Sequence, residues 1–217
     1  MTERARSVNL TEQVYDALRR DILSGRYQKG DALTEMGVAD ELNVSRTPVR
    51  EALRQLEQEE LVAIRPNRGA VVVGIEKMDF QDIYYIRSLI EGIAAERAAN
   101  TASDEDIRAL EERVELMEFY LEKKNYEKML EMDDSFHHML YELSGSRMLA
   151  RILKELHIYA AMIRQASMRQ EGRAEHTVGE HRAIYEAIAQ HDGATAKACA
   201  IAHISHTMEN ITDNHLI

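Results

Sequence analysis

From Asp79 to Ile217 the chain contains no proline, and Leu, Ile, Ala, Glu and Lys dominate that stretch. Proline is the residue that most reliably breaks a helical hydrogen-bond ladder, so a long run without it, in this composition, points to a bundle of helices. The helix starts are legible. Asp79 opens the first, Ser103 and Asp106 read as a capping box for the second, and Asn125, Ser146, the region of Glu175, and Asp192 or Thr195 precede four more. About six helices are therefore expected, after a short connector from Gly74 to Lys77.

The first 75 residues follow another pattern. Thr11 can cap a helix that carries Val14, Leu18 and Ile22 on one face and ends at Ser24 and Gly25, with Met1 to Asn9 expected to fray. Thr34 can cap a short second helix bearing Val38, Ala39 and Leu42, and Asn43 suits the bend after it. A third helix begins at about Arg46, with Ser45 as N-cap, Pro48 in its first turn and Val49, Ala52, Leu53 and Leu56 facing inward. Leu61 to Ile64 and Ala70 to Val73 are β-branched runs separated by Arg65, Pro66, Asn67, Arg68 and Gly69, which reads as a hairpin with a basic tip. That is the order of a winged helix-turn-helix. The expected fold is mainly α, with a winged helix-turn-helix over 1–75 and an antiparallel helix bundle over 76–217.

The third helix has an unusual outer face. Arg46, Thr47, Arg50 and Arg54 lie there, although a helix start ordinarily favours acidic side chains. Arginines and a hydroxyl beside exposed backbone N–H groups suit phosphates and guanine edges; the alternative is an ordinary solvated charged face. The net charge of −11 looks hostile to DNA, but its distribution matters more: residues 1–75 carry −1 and the remainder −10. No apolar run approaches a membrane span and no signal-peptide core opens the chain, so a cytoplasmic location and no membrane partner are expected. Cys199 is the one cysteine, which excludes an internal disulfide and a four-cysteine zinc site.

All nine histidines fall after residue 136. Asp133 and His137 are one helical turn apart at the edge of the stripe Met129, Met132, Phe136, Leu140 and Leu143, the spacing that puts two ligand atoms side by side on a helix. His181 shares a stripe with Val178, Ile184, Tyr185 and Ile188, and His203 shares one with Ala196, Ala200, Ile204 and Thr207. Burying three imidazoles and a carboxylate is costly unless each finds a partner. One divalent cation would satisfy all four; three separately bonded core histidines are the alternative. Arg87 flanks the stripe of Ile83, Ile86, Ile90 and Ala94, so it should border the same pocket, or pair with Glu91. Arg164 is a weaker candidate, as is the Cys199 thiolate.

The segments YDALRRDILSGRYQKGDAL, VSRTPVREALRQLEQEELV and NRGAVV together resemble the winged-helix domain of GntR-type bacterial transcription regulators. The resemblance implies that Arg46, Thr47, Pro48 and Arg50 contact the major groove, that Arg68 and Gly69 contact the minor groove, and that Ser45 touches phosphate. Met36 stands where some relatives carry a further arginine. The pattern DxxFH, followed by His181 and His203 on later helices, resembles the FCD ligand-binding domain of the FadR subfamily of GntR regulators. It implies a metal, zinc or nickel, on Asp133, His137, His181 and His203, with Arg87 meeting a small carboxylate effector. The usual SGN after that helix is SGS here, at Ser144 to Ser146. The function so implied is a homodimeric, metabolite-responsive regulator, of the repressor kind, on a palindromic double-stranded DNA operator. The alternatives are a regulator that senses the metal ion itself, or a helical metalloenzyme in which three His and a carboxylate activate water; no HExxH, Ser-His-Asp order or paired carboxylates beyond Asp133 and Asp134 support the last.

Overall fold

The computed structural model describes residues 3–214 except 67, 169 and 171, and it describes no side chains for 3–9, 161, 162, 165 and 166. The chain divides into two compact units, Met1–Glu76 and Lys77–Ile217, one residue beyond the boundary read from the sequence.

The first unit runs α1 (Glu3–Leu23), β1 (Ala32–Leu33), α2 (Glu35–Glu41), α3 (Arg46–Gln58), β2 (Val62–Arg65) and β3 (Gly69–Val72). Its antiparallel sheet has the order β1-β3-β2, with Leu33 opposite Ala70 and Arg65 opposite Gly69. Val14, Leu18 and Ile22 of α1 are buried, as are Val49, Ala52, Leu53 and Leu56 of α3 and Leu61, Val62, Ala70 and Val72 beneath them. Helix α1 starts well before Thr11, because residues 3–10 contain neither glycine nor proline and nothing interrupts the helix there. Strand β1 was not expected; two residues carry no alternation to read. Gly69, by contrast, has a backbone reason to be glycine. Its φ is +84°, and a Cβ there would collide with the Leu33 carbonyl oxygen where β1 meets β3. Asn67, at the hairpin tip, lies outside the described residues.

The second unit is six helices: α4 (Lys77–Thr101), α5 (Asp104–Glu122), α6 (Tyr126–Leu143), α7 (Arg147–Met168), α8 (Arg173–Ala189) and α9 (Gly193–Asp213). Asn125 and Asp192 cap α6 and α9 through their side chains, as their residue types require. Helices α4 and α9 lie close along their lengths, because Gly92 leaves room: a Cβ there would come within 2.7 Å of Ile201 Cγ1. The core joins Ala94, Ala95, Ala98, Val114, Met117, Phe136, Leu140, Leu153, Ile184, Ile188, Ala196 and Ala200. Among the described residues no helix is long and apolar enough to cross a membrane.

Ser103 and Asp106 form the reciprocal capping box at the start of α5, with Ser103 N donating to Asp106 Oδ2 at 2.9 Å and Asp106 N donating to Ser103 Oγ at 3.2 Å. The Ser103 hydroxyl and N–H hold the Asp106 carboxyl below its ordinary range. Because the folded-state pKa is depressed, this contribution is present above the unfolded value of 3.8 and is lost as the pH falls below it. Ser103→Ala is expected to cost about 1 kcal/mol at neutral pH and to lose part of that cost in acid. Denaturation midpoints at two pH values check this.

Candidate functional site

The first unit presents a basic cleft. Ser45 occupies the N-cap of α3 but makes no side-chain capping bond, so its hydroxyl is left for another acceptor or donor. Arg46, Thr47, Arg50 and Arg54 are exposed on α3. Pro48 is buried with Val49 in the first turn of α3, where its fixed φ suits a helix start. Arg46, Arg50 and Arg54 face Arg65, Pro66 and Arg68 of the hairpin across the cleft, with Glu35 and Met36 at its α2 end. Gly69 also lines it, although its residue type is already demanded by the sheet.

Sequence reasoning missed Glu35. Its Oε1 accepts from Arg50 Nε at 2.8 Å, while Oε2 accepts from Arg50 Nη2 at 2.9 Å and from Arg46 Nη2 at 2.8 Å and Nε at 3.2 Å. Hydrogen bonds from Arg50 first and Arg46 second bring its carboxyl down to about 2. An acidic residue in a first turn is unremarked in sequence, and its partners stand 11 and 15 positions away.

The second unit carries a buried histidine centre. Asp133 and His137 come from α6, His181 from α8 and His203 from α9, and all four are buried. One ring nitrogen from each of His137, His181 and His203 falls within 4.8 Å of the others. His181 Nε2 lies 3.2 Å from His137 Nε2 and 3.3 Å from Asp133 Oδ1. The outward nitrogens have partners of their own. His181 Nδ1 donates to the Thr177 carbonyl at 2.8 Å and His203 Nδ1 donates to Glu180 Oε2 at 2.8 Å. His137 Nδ1 is 3.2 Å from Glu91 Oε2, an ion-pair distance without hydrogen-bond alignment.

Behind these ligand-type groups stand arginines. Arg173 reaches both oxygens of Glu180 at 3.2 Å and donates to Thr207 Oγ1 at 2.7 Å. Arg87 donates to Glu91 Oε1 through Nε at 2.9 Å and Nη2 at 2.7 Å, and its Nη2 is 3.4 Å from His157 Nδ1. Arg87 thus borders the centre and is paired there with Glu91. Arg164 Nη1 donates to Asp133 Oδ2 at 2.6 Å, also meets Asp134, and lies 2.9 Å from His157 Nε2. Glu91 was named from sequence as a partner for Arg87; Glu180, Arg173 and His157 were not singled out. Two of these pairings did carry a signal, since Arg173 and Glu180 on α8, and His157 and Arg164 on α7, are each seven residues apart and therefore share a face.

The electrostatics follow from burial against that lattice of charge. Burial alone would raise the Asp133 carboxyl, but Arg164, His181 and His137 more than offset it and hold it well below the carboxylate range. Glu91 is likewise held low, by Arg87 and then His137, and Glu180 is brought down to about 2 against burial by His203 and Arg173. His181 is pushed the other way from its usual value, down to about 3, by burial and then by His203, with Asp133 opposing. Burial lowers His203 too. Both rings are therefore neutral near pH 7, and with Nδ1 as donor each keeps an Nε2 lone pair. Around the centre, Tyr84 Oη, Arg173 Nε and Thr177 Oγ1 are buried without a hydrogen-bond partner among the described residues. Cys199 lines a groove between α8 and α9 together with Ala183, Ala202, Glu180 and His203, and burial raises its thiol.

Known proteins share both units. Residues 10–72 match the gntR family of bacterial regulatory proteins, and residues 82–206 match the FCD domain. The chain belongs to the GntR family. The HTH-type transcriptional repressor RspR of Escherichia coli (strain K12) is 29% identical over 93% of this chain and 89% of its own length. The gluconate operon transcriptional repressor of Bacillus licheniformis is 33% identical over 55% of this chain and 49% of its own. The solved structure of E. coli McbR/YncC has the same fold, with a TM-score of 0.78 at 22% identity over 95% of this chain and 98% of that one. The protein is thus a bacterial transcription regulator of the GntR family with an FCD domain, and its relatives are regulators rather than enzymes.

Replacing Arg164 with Met leaves Asp133 buried without its strongest compensating charge. In chelator-treated protein this is expected to cost roughly 3–5 kcal/mol. Chemical denaturation checks it; an unchanged midpoint contradicts the pairing.

Proposed function

We propose that this regulator is a metabolite-responsive repressor of the FadR subfamily, in which Asp133, His137, His181 and His203 hold a divalent metal, zinc or nickel, that together with Arg87 receives a small carboxylate effector. The observation that carries the reading is the crowding of electron pairs at the centre. Two neutral imidazoles present Nε2 lone pairs, with His137 Nε2 3.2 Å and Asp133 Oδ1 3.3 Å from that of His181, and His181, with its proton on Nδ1, has none to give that carboxylate. A divalent cation among these atoms would satisfy them together. Four ligands on a tetrahedral ion at about 2.0–2.1 Å stand roughly 3.3 Å apart, close to the spacings found. The outward Nδ1 contacts to a carbonyl and to carboxylates are the supports that metal-bound histidines generally require.

When bound, the metal supplies a Lewis-acid position for a carboxylate oxygen or water. The protein's own groups do the rest. Arg164 holds Asp133 by Oδ2 and leaves Oδ1 toward His181, and Arg87 places a second positive charge at the margin of the site. One relative is named for the operon of gluconate, itself a carboxylate. The DNA-facing part of the proposal assigns Ser45, Arg46, Thr47, Arg50, Arg54, Arg68 and Gly69 to the operator, in the cytoplasm where the chromosome lies. A single recognition helix covers a half-site, so a two-fold homodimer would read a palindrome with half-sites one DNA turn, roughly 34 Å, apart. Met78, Tyr85, Ile86 and Leu89 on α4 and Met148, Ile152 and Ile158 on the adjacent α7 are exposed, as a self-association surface would leave them in one copy. Effector binding would then shift the bundle between two arrangements and change the separation of the two recognition helices.

The test uses an operator selected from random duplex DNA by the full-length protein, titrated with a panel of small carboxylates. At least one is expected to change operator affinity roughly fivefold or more, and Asp133→Ala should abolish that response. Equal affinity with every carboxylate contradicts the proposal; affinity that tracks free metal alone would make the ion itself the signal.

A further inference from the structure

The Glu35 carboxylate is the one acidic group set among the arginines of the basic cleft. It grips Arg46 and Arg50 in the same way: both give it their Nε–H and one Nη2–H, and neither gives it Nη1. A guanidinium has two forks. The side fork, Nε with Nη2, is the one Glu35 occupies; the end fork, Nη1 with the other Nη2 hydrogen, points away from the carboxylate along the direction of the side chain. The end fork suffices for bidentate recognition of guanine O6 and N7.

We propose that Glu35 is a positioning residue for sequence readout, fixing Arg46 and Arg50 with their end forks presented to base edges so that both arginines discriminate bases instead of settling on phosphates. The inference rests on the assignment of Arg46 and Arg50 to the operator. Its physical basis is entropic and geometric. Both arginines are long, half-exposed chains on the outer face of α3, four residues apart, and unrestrained they would satisfy any phosphate oxygen in reach. A carboxylate that takes the side fork removes that freedom before DNA arrives and leaves the end forks directional. Glu35 is itself held: it is the first residue of α2, whose N-cap Thr34 is locked by a bond from Gly37 N at 3.0 Å, and its side chain is mostly covered, at 21% exposure. The carboxylate also places negative charge beside these arginines, so it reduces general affinity for DNA while sharpening choice among sequences.

This combination separates positioning from two simpler roles. A carboxylate that only competes with DNA for the arginines would, when removed, strengthen binding to all duplexes alike. A carboxylate that only stabilises the fold would, when removed, weaken binding to all duplexes alike. Positioning predicts a change in the ratio. The experiment uses the full-length protein, a duplex selected from a random library, and a shuffled duplex of the same composition, with affinities measured over a range of salt. For Glu35→Gln and Glu35→Ala, affinity for the shuffled duplex is expected to stay or rise while the ratio of selected to shuffled affinity falls roughly tenfold or more. Repeating the selection with Glu35→Ala should yield weakened preference at the guanine positions the wild type selects. Glu35→Asp, which keeps the charge with a shorter reach, should restore part of the ratio.

A ratio unchanged in both Glu35→Gln and Glu35→Ala overturns the proposal. Arg46→Ala and Arg50→Ala distinguish its failure from failure of the underlying assignment. If these two lose the ratio while the Glu35 variants keep it, base reading stands and positioning is wrong; if they also keep it, the arginines do not read bases and both ideas fall. Should Glu35→Gln lose the circular-dichroism signature of the wild type, Glu35→Ala and Glu35→Asp decide the matter by the same ratio.

Discussion

Three buried histidine rings with a carboxylate against one of them are the constraint around which the second unit is built. Asp133, His137, His181 and His203 come from three helices and meet in the interior, where neither water nor screening relieves them. Three of the helices around this centre carry a second layer of charge beside it: Arg87 and Glu91 on α4, His157 and Arg164 on α7, Arg173 and Glu180 on α8. Two of these supports share one plan, in which an arginine holds a glutamate and the glutamate faces a histidine ring: Arg87, Glu91 and His137 on one side, Arg173, Glu180 and His203 on the other. An apolar replacement of the whole set would be cheaper for stability alone, since buried ion pairs rarely repay their desolvation. Their presence fits the proposed role, in which they fix the orientation of groups that serve a ligand.

The first unit uses the same device at lower stakes. Glu35 between Arg46 and Arg50 repeats the theme of a carboxylate holding guanidinium groups in one direction, but at the surface, where screening leaves little net energy and the value of the contact lies in geometry. In both units a side chain proposed to meet a ligand is held by a charged neighbour: Arg46 and Arg50 by Glu35, and His203 by Glu180.

Much of the fold was legible in the sequence because it depends on local chemistry. Thr34, Asn125 and Asp192 accept the backbone bonds their types suggest, and Ser103 with Asp106 closes a capping box. The four residues named for the centre were readable as helical spacings within α6 and as apolar stripes on α8 and α9, and the structure brings them together. What was not legible required knowledge of which helices are neighbours. Glu180 sits next to His181 in sequence yet serves His203 on another helix. The pairing of Arg87 with Glu91, one turn apart on α4, was readable, but Glu91's approach to His137 depends on how α4 meets α6. Strand β1 was invisible because two residues have no period, and the burial of Pro48 at the start of α3 was not read from the sequence.

The account turns on whether a cation satisfies the histidine centre, and X-ray absorption on the full-length protein, with metal content measured in parallel, tests this most directly. After incubation with zinc or nickel and exhaustive dialysis, one equivalent of metal per chain is expected, with nitrogen and oxygen neighbours at roughly 2.0–2.2 Å and imidazole scattering that diminishes in His181→Ala. Retention of no metal, or a bound ion whose surroundings are unchanged by His181→Ala, would contradict it.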